Sequence, residues 1–303
     1  MKKKLIIPGV TAGILVSALV YGNLNSTKYE PTKVHAENEN SAAQTVSTQN
    51  TNGEKQRLQN LMLNSIDHFT TAKGSFEYFT GDENVLVEYQ TELGMNPKSF
   101  EKVKGIATVS HPTLAHGTPE NGYEIASYDG EQLHNYNSGS PDFVYNTVTK
   151  SDKPETYSVK TPAVTQEEQK QFKDSTMKDR VVTDANGEKT YNYRIDPSHM
   201  GIAKTSLLPE NFAMGYLEDL SKWNITGQEE IASVNTVIIE GQLNDYYTQK
   251  YQGNKFKLNV DPKTGIVLKM VVTDASGTVK NSLETKFIEI DKPVDALAYS
   301  NFK

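Results

Sequence analysis

"KFKLNVDPKTGIVLKMVVTDASGTV", Lys255 to Val279, decides the fold. Phe256, Leu258 and Val260 alternate with Lys257 and Asn259, which is the period of a half-buried strand. "DPKTG", Asp261 to Gly265, turns the chain. Ile266, Leu268, Met270 and Val272 then line one side, while Lys269 and Val271 face the other. Two such strands joined by a short turn make an antiparallel meander with one apolar face. "SVNTVIIEGQL" upstream (Ser233 to Leu243) and "TVKNSLETKFIEI" downstream (Thr278 to Ile290) extend the same sheet.

The phrase "VVTDASG" inside this stretch (Val271 to Gly277) occurs once more as "VVTDANG" (Val181 to Gly187). An EF-hand calcium loop needs a glycine at its sixth position and a glutamate at its twelfth. Counted from Asp184 these are Lys189 and Ile195, and from Asp274 they are Val279 and Thr285, so neither copy qualifies. The likeness also stops at the glycine, which excludes a duplicated domain. Turn chemistry is left. Asn186-Gly187 predicts a type I′ hairpin, with positive φ at both central residues, and Asp274 to Gly277 a slightly longer turn.

Earlier segments add helices and more strands. Leu58, Leu61, Met62, Ile66 and Phe69 fall at helical spacing, and Gly74 supplies a stop. Phe76 and Tyr78, a Gly81-Asp82 turn, then Val85, Val87 and Tyr89 predict a hairpin. "NPKSFEKVKG" predicts a short helix capped at Asn96. Three short alternating runs follow from Gly122 to Thr149. "TQEE", Thr165 to Glu168, is a capping box. "PENFAMGYLEDLSKW" predicts an amphipathic helix with Phe212, Tyr216, Leu220 and Trp223 on one face. The fold class expected is α+β: a curved antiparallel β-sheet with helices covering its concave apolar face.

The first residues concern address. Lys2, Lys3 and Lys4 precede an apolar run from Leu5 to Tyr21, the pattern of an export signal or N-terminal anchor. The run is at the short limit for a membrane span. An uncleaved anchor, cleavage after Ala36 in "VHA" and cleavage near Ala18 are all open. Each places the remainder outside the cytoplasm, membrane-anchored or secreted. Residues 23–53 are rich in Asn, Ser, Thr, Gln and Glu and poor in large apolar residues, the composition of a disordered linker. The expected organisation is therefore signal or anchor over 1–22, linker over 23–53 and one folded domain over 54–303.

Composition excludes several chemistries. There is no cysteine, so thiol catalysis, disulfides and an acylated N-terminal cysteine are out. With 31 Lys and Arg against 38 Asp and Glu, the formal net charge is −7 and no basic stripe exists for nucleic acid. The six histidines show no His-Glu-x-x-His spacing, and His111 and His116 flank a Pro-containing loop. "NSGSPD" (Asn137 to Asp142) lacks the frame of a nucleophile elbow. No phosphate-cradling glycine loop is present, no cofactor is implied, and no spacing singles out a carboxylate pair. What remains is the aromatic load: 16 Tyr, 10 Phe and one Trp, many on strands. Core packing explains any one of them. Together, Phe76, Tyr78, Phe143 and Tyr145, with Leu268 and Met270, are candidates to line an apolar cavity between sheet and helices, as are Phe256 and Phe287.

Four stretches resemble the lipoprotein-carrier superfamily, which includes LolA carriers and RseB/MucB-type stress regulators. They are the helix-to-hairpin segment Leu58 to Tyr89, "YDGEQLHNYNSGSPDFVYN" (Tyr128 to Asn146), Lys255 to Val279, and the ending "FIEIDKPVDALAYSNF" (Phe287 to Phe302). The resemblance implies a half-closed barrel whose concave face binds a lipid or an acyl chain, without catalytic residues. Some relatives instead restrain an anti-sigma factor, so an envelope protein is the alternative partner. Two departures from the carriers stand out: the N-terminal tether, and inserts around His111 to Glu120 and Ser151 to Asp174.

Overall fold

The computed structural model describes residues 51–81, 83–105, 123–138 and 154–299. The predicted 1–22 and most of 23–53 lie outside the described residues, as do His35, His111, His116, Phe143 and Tyr145. Among the described residues no helix is long and apolar enough to cross a membrane.

The chain opens with helix α1 (Asn52–Leu63), capped by the Thr51 hydroxyl accepting from the Glu54 N–H, and a 3-10 turn (Ser65–Asp67). Strands β1 (Thr71–Thr80), β2 (Glu83–Glu92), β3 (Lys98–Gly105), β4 (Tyr123–Tyr128), β5 (Gln132–Asn137) and β6 (Glu155–Lys160) follow. Short helices α2 (Gln166–Lys170) and α3 (Met177–Arg180) lead into a separate hairpin, β7 (Val181–Thr183) and β8 (Lys189–Tyr191). After α4 (Lys204–Leu207) and a π-helical turn (Phe212–Tyr216) come β9 (Trp223–Ile231), β10 (Val234–Gln242), α5 (Asp245–Tyr251), β11 (Lys255–Val260), β12 (Val267–Thr273) and β13 (Val279–Ile290).

Eleven strands form one open antiparallel sheet, ordered β6-β5-β4-β3-β2-β1-β13-β12-β11-β10-β9. The last strand closes against the first hairpin, joining two meanders. Register shifts at Ser75/Phe76, Ile238/Ile239, Asn259/Val260 and Val272/Thr273 sharpen the twist and bend the sheet. The fold is thus the expected α+β half-barrel.

The two faces differ. Ile239, Leu258, Met270, Leu283, Phe76, Val87 and Val103 lie on the inner face and form the core with Leu58, Met62, Leu207, Phe212 and Met214 from the roof. The outer face carries ion pairs: Glu229–Lys257, Lys269–Glu284, Lys286–Glu77 and Glu88–Lys104. All are solvent-accessible, and such pairs add solubility more than stability.

Four local expectations are corrected. Gly74 does not stop a helix; it lies within β1 opposite Tyr89, where a Cβ would meet the Phe287 carbonyl at 2.4 Å. Residues 98–105 are strand, not helix, because Ser99, Glu101, Val103 and Gly105 alternate inward and pair with both β2 and β4. The stretch from Phe212 to Trp223 is one π-helical turn and the start of β9, since Trp223 pairs with Gly241. The two repeated phrases share one turn, but it is not type I′. Only Gly187 and Gly277 have positive φ, 84° and 88°. Asp184 and Asp274 order the turns, each carboxylate accepting two backbone N–H groups.

Candidate functional site

The inner face is the candidate site, and its roof is built from short pieces. α1 is pinned by Lys55, whose buried Nζ donates to the Leu220 carbonyl (3.0 Å), the Trp223 carbonyl (2.6 Å) and Asn224 Oδ1 (3.0 Å). Gln59 donates to the Leu217 carbonyl at 2.6 Å. Gly265 of the DPKTG turn meets the backbone of Leu61 and Met62, where a Cβ would not fit, and its φ of 80° suits glycine. A second pin is ionic. The fully buried Arg180 pairs with Glu210 at 2.6 Å, and Arg194 pairs with Asp67. Burial raises the Glu210 carboxyl, while Arg180 and Arg194 oppose the rise.

A strap, residues 196–203, crosses β3 and β4. Asp196 orders it by accepting from the Ser198 N–H and hydroxyl and from the Met200 N–H. Ser99 Oγ donates to the Ser198 carbonyl at 2.6 Å. The buried Glu101 carboxylate accepts the Ile202 N–H at 2.9 Å and the Ala203 N–H at 2.6 Å. No cation offsets it in these contacts, so burial dominates and its carboxyl is raised; the two N–H groups oppose this, and Asp196 adds to it. His199, with φ 53°, stands edge-on to Tyr128, and its Nε2 is buried without a hydrogen bond. Burial lowers its pKa.

An aromatic ribbon runs from the surface to this face. Tyr246 is 65% exposed, and its ring lies 5.0 Å from that of Tyr247. Tyr247 rests on Gly215, where a Cβ would come within 2.4 Å of its ring, and lies 5.2 Å from Tyr216. Tyr216 meets Phe256 at 5.2 Å and Phe212 at 4.9 Å. Deeper, Phe76 touches Tyr78 (6.4 Å) and Tyr89 (5.8 Å). Burial is the first cause of the raised pKa values of Tyr78, Tyr89 and Tyr216, so their hydroxyls stay protonated.

The residues selected from sequence are placed as follows. Phe76, Leu268 and Met270 are buried in the core, and Tyr78 is partly buried against it. Leu283 faces both Tyr78 and Met270 across the sheet, which brings these two together. Phe256 is buried on the same side, whereas Phe287 lies on the outer face, 48% exposed. None of them lines either of two surface hollows. One, about 500 Å³, is bounded by His68, Asn235, Asp261 and Asp291. The other, about 530 Å³, is bounded by Asn224, Glu240 and Lys255. The first is bounded mostly by apolar atoms and the second mostly by polar ones, and the second reaches Gly241, where a Cβ would lie 2.7 Å from the Phe256 ring. Sequence reasoning missed Glu101, Tyr216, Tyr247 and the strap. For the ribbon the signal was "DYYTQKY", where Tyr247 and Tyr251 stand four apart beside Tyr246.

One constellation invites a catalytic reading. His134 joins Ser158 Oγ (2.7 Å) to Asp129 Oδ2 (3.0 Å). It sits on the outer face, where Ser158 is exposed and lines neither hollow. Acyl transfer needs a water-excluded oxyanion site beside the serine, and an open strand surface provides poor shelter for one. Among the described residues no group of three His, Cys, Asp or Glu is placed to hold a metal.

No family model matches the chain, and no curated protein matches it. Among solved structures it is similar to the Pseudomonas aeruginosa MucA/MucB complex, at 11% identity and TM-score 0.40, over 82% of this chain and 61% of that one. LprF from Mycobacterium bovis matches at 9% identity and TM-score 0.37, over 82% and 97%. The Mycobacterium tuberculosis lipoprotein LppX matches at 8% identity and TM-score 0.35, over 81% and 100%. The chain thus spans about three fifths of the MucB chain it matches. MucB is among the proteins named by the sequence resemblance.

Proposed function

We propose that this protein is a non-enzymatic, extracytoplasmic binding protein for a lipid or a lipoprotein acyl chain. The aromatic ribbon carries the reading: apolar rings lead without a break from the exposed Tyr246 to Tyr216 and Phe256, under a roof whose longest helix has 12 residues. Short roof segments are the kind that open locally at modest cost, and the rings behind them form an apolar path for an acyl chain. The charged N-terminus with its apolar run supports an extracytoplasmic address, anchored or secreted.

Native mass spectrometry of the purified chain tests this. An adduct of lipid mass, displaced by added lipid, is the expected result. A spectrum of bare protein, with no uptake of a fluorescent fatty acid, contradicts it.

A regulator acting through protein contacts is the second reading, favoured by β6. All six of its residues are exposed, including Tyr157 and Val159, and it is an edge strand of the sheet. An open edge accepts a partner strand. Crosslinking in envelope preparations that traps a protein through β6, with no lipid bound, decides for it.

A further inference from the structure

The outer face holds the parts of a nucleophile that lipid binding does not use. Asp129 sits in the turn between β4 and β5, where its Oδ1 accepts the N–H groups of Glu131 and Gln132, both at 2.8 Å. That leaves Oδ2 to meet His134 Nε2 at 3.0 Å. Burial opposes ionisation of Asp129, but the hydrogen bonds from His134, Gln132 and Glu131 together hold its carboxyl below the usual range. An ionised carboxylate only accepts, so Nε2 carries the ring proton and Nδ1 presents a lone pair. Nδ1 faces Ser158 Oγ at 2.7 Å, in position to take the hydroxyl proton.

The backbone adds a donor. The Thr161 N–H donates to the Glu131 carbonyl at 3.0 Å, so this pair is hydrogen-bonded. Alternation along the antiparallel ladder then makes Ser158 and His134 a non-bonded pair. Such pairs bring side chains close, and the Ser158 N–H points away from β5. β6 is the end strand of its sheet, so among the described residues no strand lies on that side. A carbonyl approaching Ser158 from the open edge therefore meets an N–H donor beside the nucleophilic oxygen. A single donor in open water limits the chemistry. It gives too little help for an amide or a plain ester, whereas an activated acyl group brings its own good leaving group.

We infer that Ser158 is a covalent modification site that takes one acyl group from an activated ester or thioester, with His134 as the base and Asp129 as a positioning residue. Ser158 Oγ bonds to the acyl carbon while its proton passes to His134 Nδ1. The bond from the acyl carbon to the leaving oxygen or sulfur breaks, and that group departs with the electron pair and takes the proton from His134. The product is a seryl ester at the edge of the sheet. The chain is the substrate of this reaction, and the step is independent of lipid binding.

The test is p-nitrophenyl acetate with the full-length chain near neutral pH. The expected result is one equivalent of p-nitrophenol beyond what Ser158→Ala releases, and one acetyl group that peptide fragmentation places on Ser158. His134→Gln is expected to slow that acetylation by at least about a hundredfold, with folding checked by urea titration. Asp129→Asn should slow it by at least about tenfold, and Asp129→Glu, which keeps the carboxylate, should recover part of the rate. A Ser158 that takes no acetyl, or takes it at the same rate in His134→Gln, makes these contacts a tie between the edge strand and the turn. That overturns the proposal and leaves lipid binding untouched. Ser158-dependent release that runs on past one equivalent makes the chain an esterase, which overturns both the single modification and the non-enzymatic reading.

Discussion

Glu101 is the residue at which burial and charge oppose each other most directly. Its folded-state pKa is raised above the ordinary 4.5, chiefly by burial. Its stabilising contribution is therefore fully present below the unfolded value and is lost as pH rises through the folded one. His199 runs the other way: its lowered pKa gives a contribution that is lost as pH falls. Comparison with Glu101→Gln isolates the carboxyl, because His199 is common to both proteins. The stability of the natural protein relative to the variant is expected to grow from about pH 7 to about pH 5. Urea titration at the two values checks this, and a flat difference would show that the carboxyl titrates normally. The turns offer a second test at this scale. Gly187→Ala is expected to cost about 1 kcal/mol, because φ is 84° there, while Asn186→Ala should change stability by less than about 0.5 kcal/mol. Added calcium should leave the melting temperature unchanged, since Asp184 and Asp274 already hold backbone N–H groups of their own turns.

At the scale of elements, β12 and the roof carry the stability. Met270 is 1% exposed and faces Leu258 and Leu283. Met270→Ala is expected to cost about 2–5 kcal/mol by denaturant titration. A loss well under that range would mean that β12 lines a hollow in solution. The ionic pin of the roof is the harsher case. Removing Arg180 leaves Glu210 buried without its partner, so Arg180→Ala should cost about 3–5 kcal/mol. Arg180→Ala with Glu210→Gln should recover part of that loss, a coupling that a double-mutant cycle measures. Secondary structure was legible where a strand has one wet face. β11 and β12 follow the alternation of Lys255, Lys257 and Lys269 with apolar residues, although Asn259 on the same side is buried. It was illegible at β3, where Asn96-Pro97 looks like a helix start and only pairing with β2 and β4 settles the matter.

At the scale of the molecule, an open sheet has a charged outer face and an aromatic inner face packed under the roof. Outer-face pairs such as Glu229–Lys257 and Lys269–Glu284 are exposed and long, 3.5 and 3.6 Å. Raising salt to about 1 M should therefore shift the urea midpoint little. A large loss of stability in salt would assign these pairs a structural weight that their geometry does not give them.

The sequence by itself determined the meander, its apolar side, the placing of a turn at each copy of the repeated phrase and the absence of cysteine chemistry. Each follows from local rules: strand period, the φ open to glycine, and the residue types present. Tertiary structure alone decided that Glu101 latches a strap a hundred residues away, that Arg180 meets Glu210, and that the rings of Tyr247, Tyr216 and Phe256 form one ribbon. A buried charge or hydroxyl takes its meaning from what surrounds it. Here those surroundings are assembled from strands and roof segments that are distant in the chain.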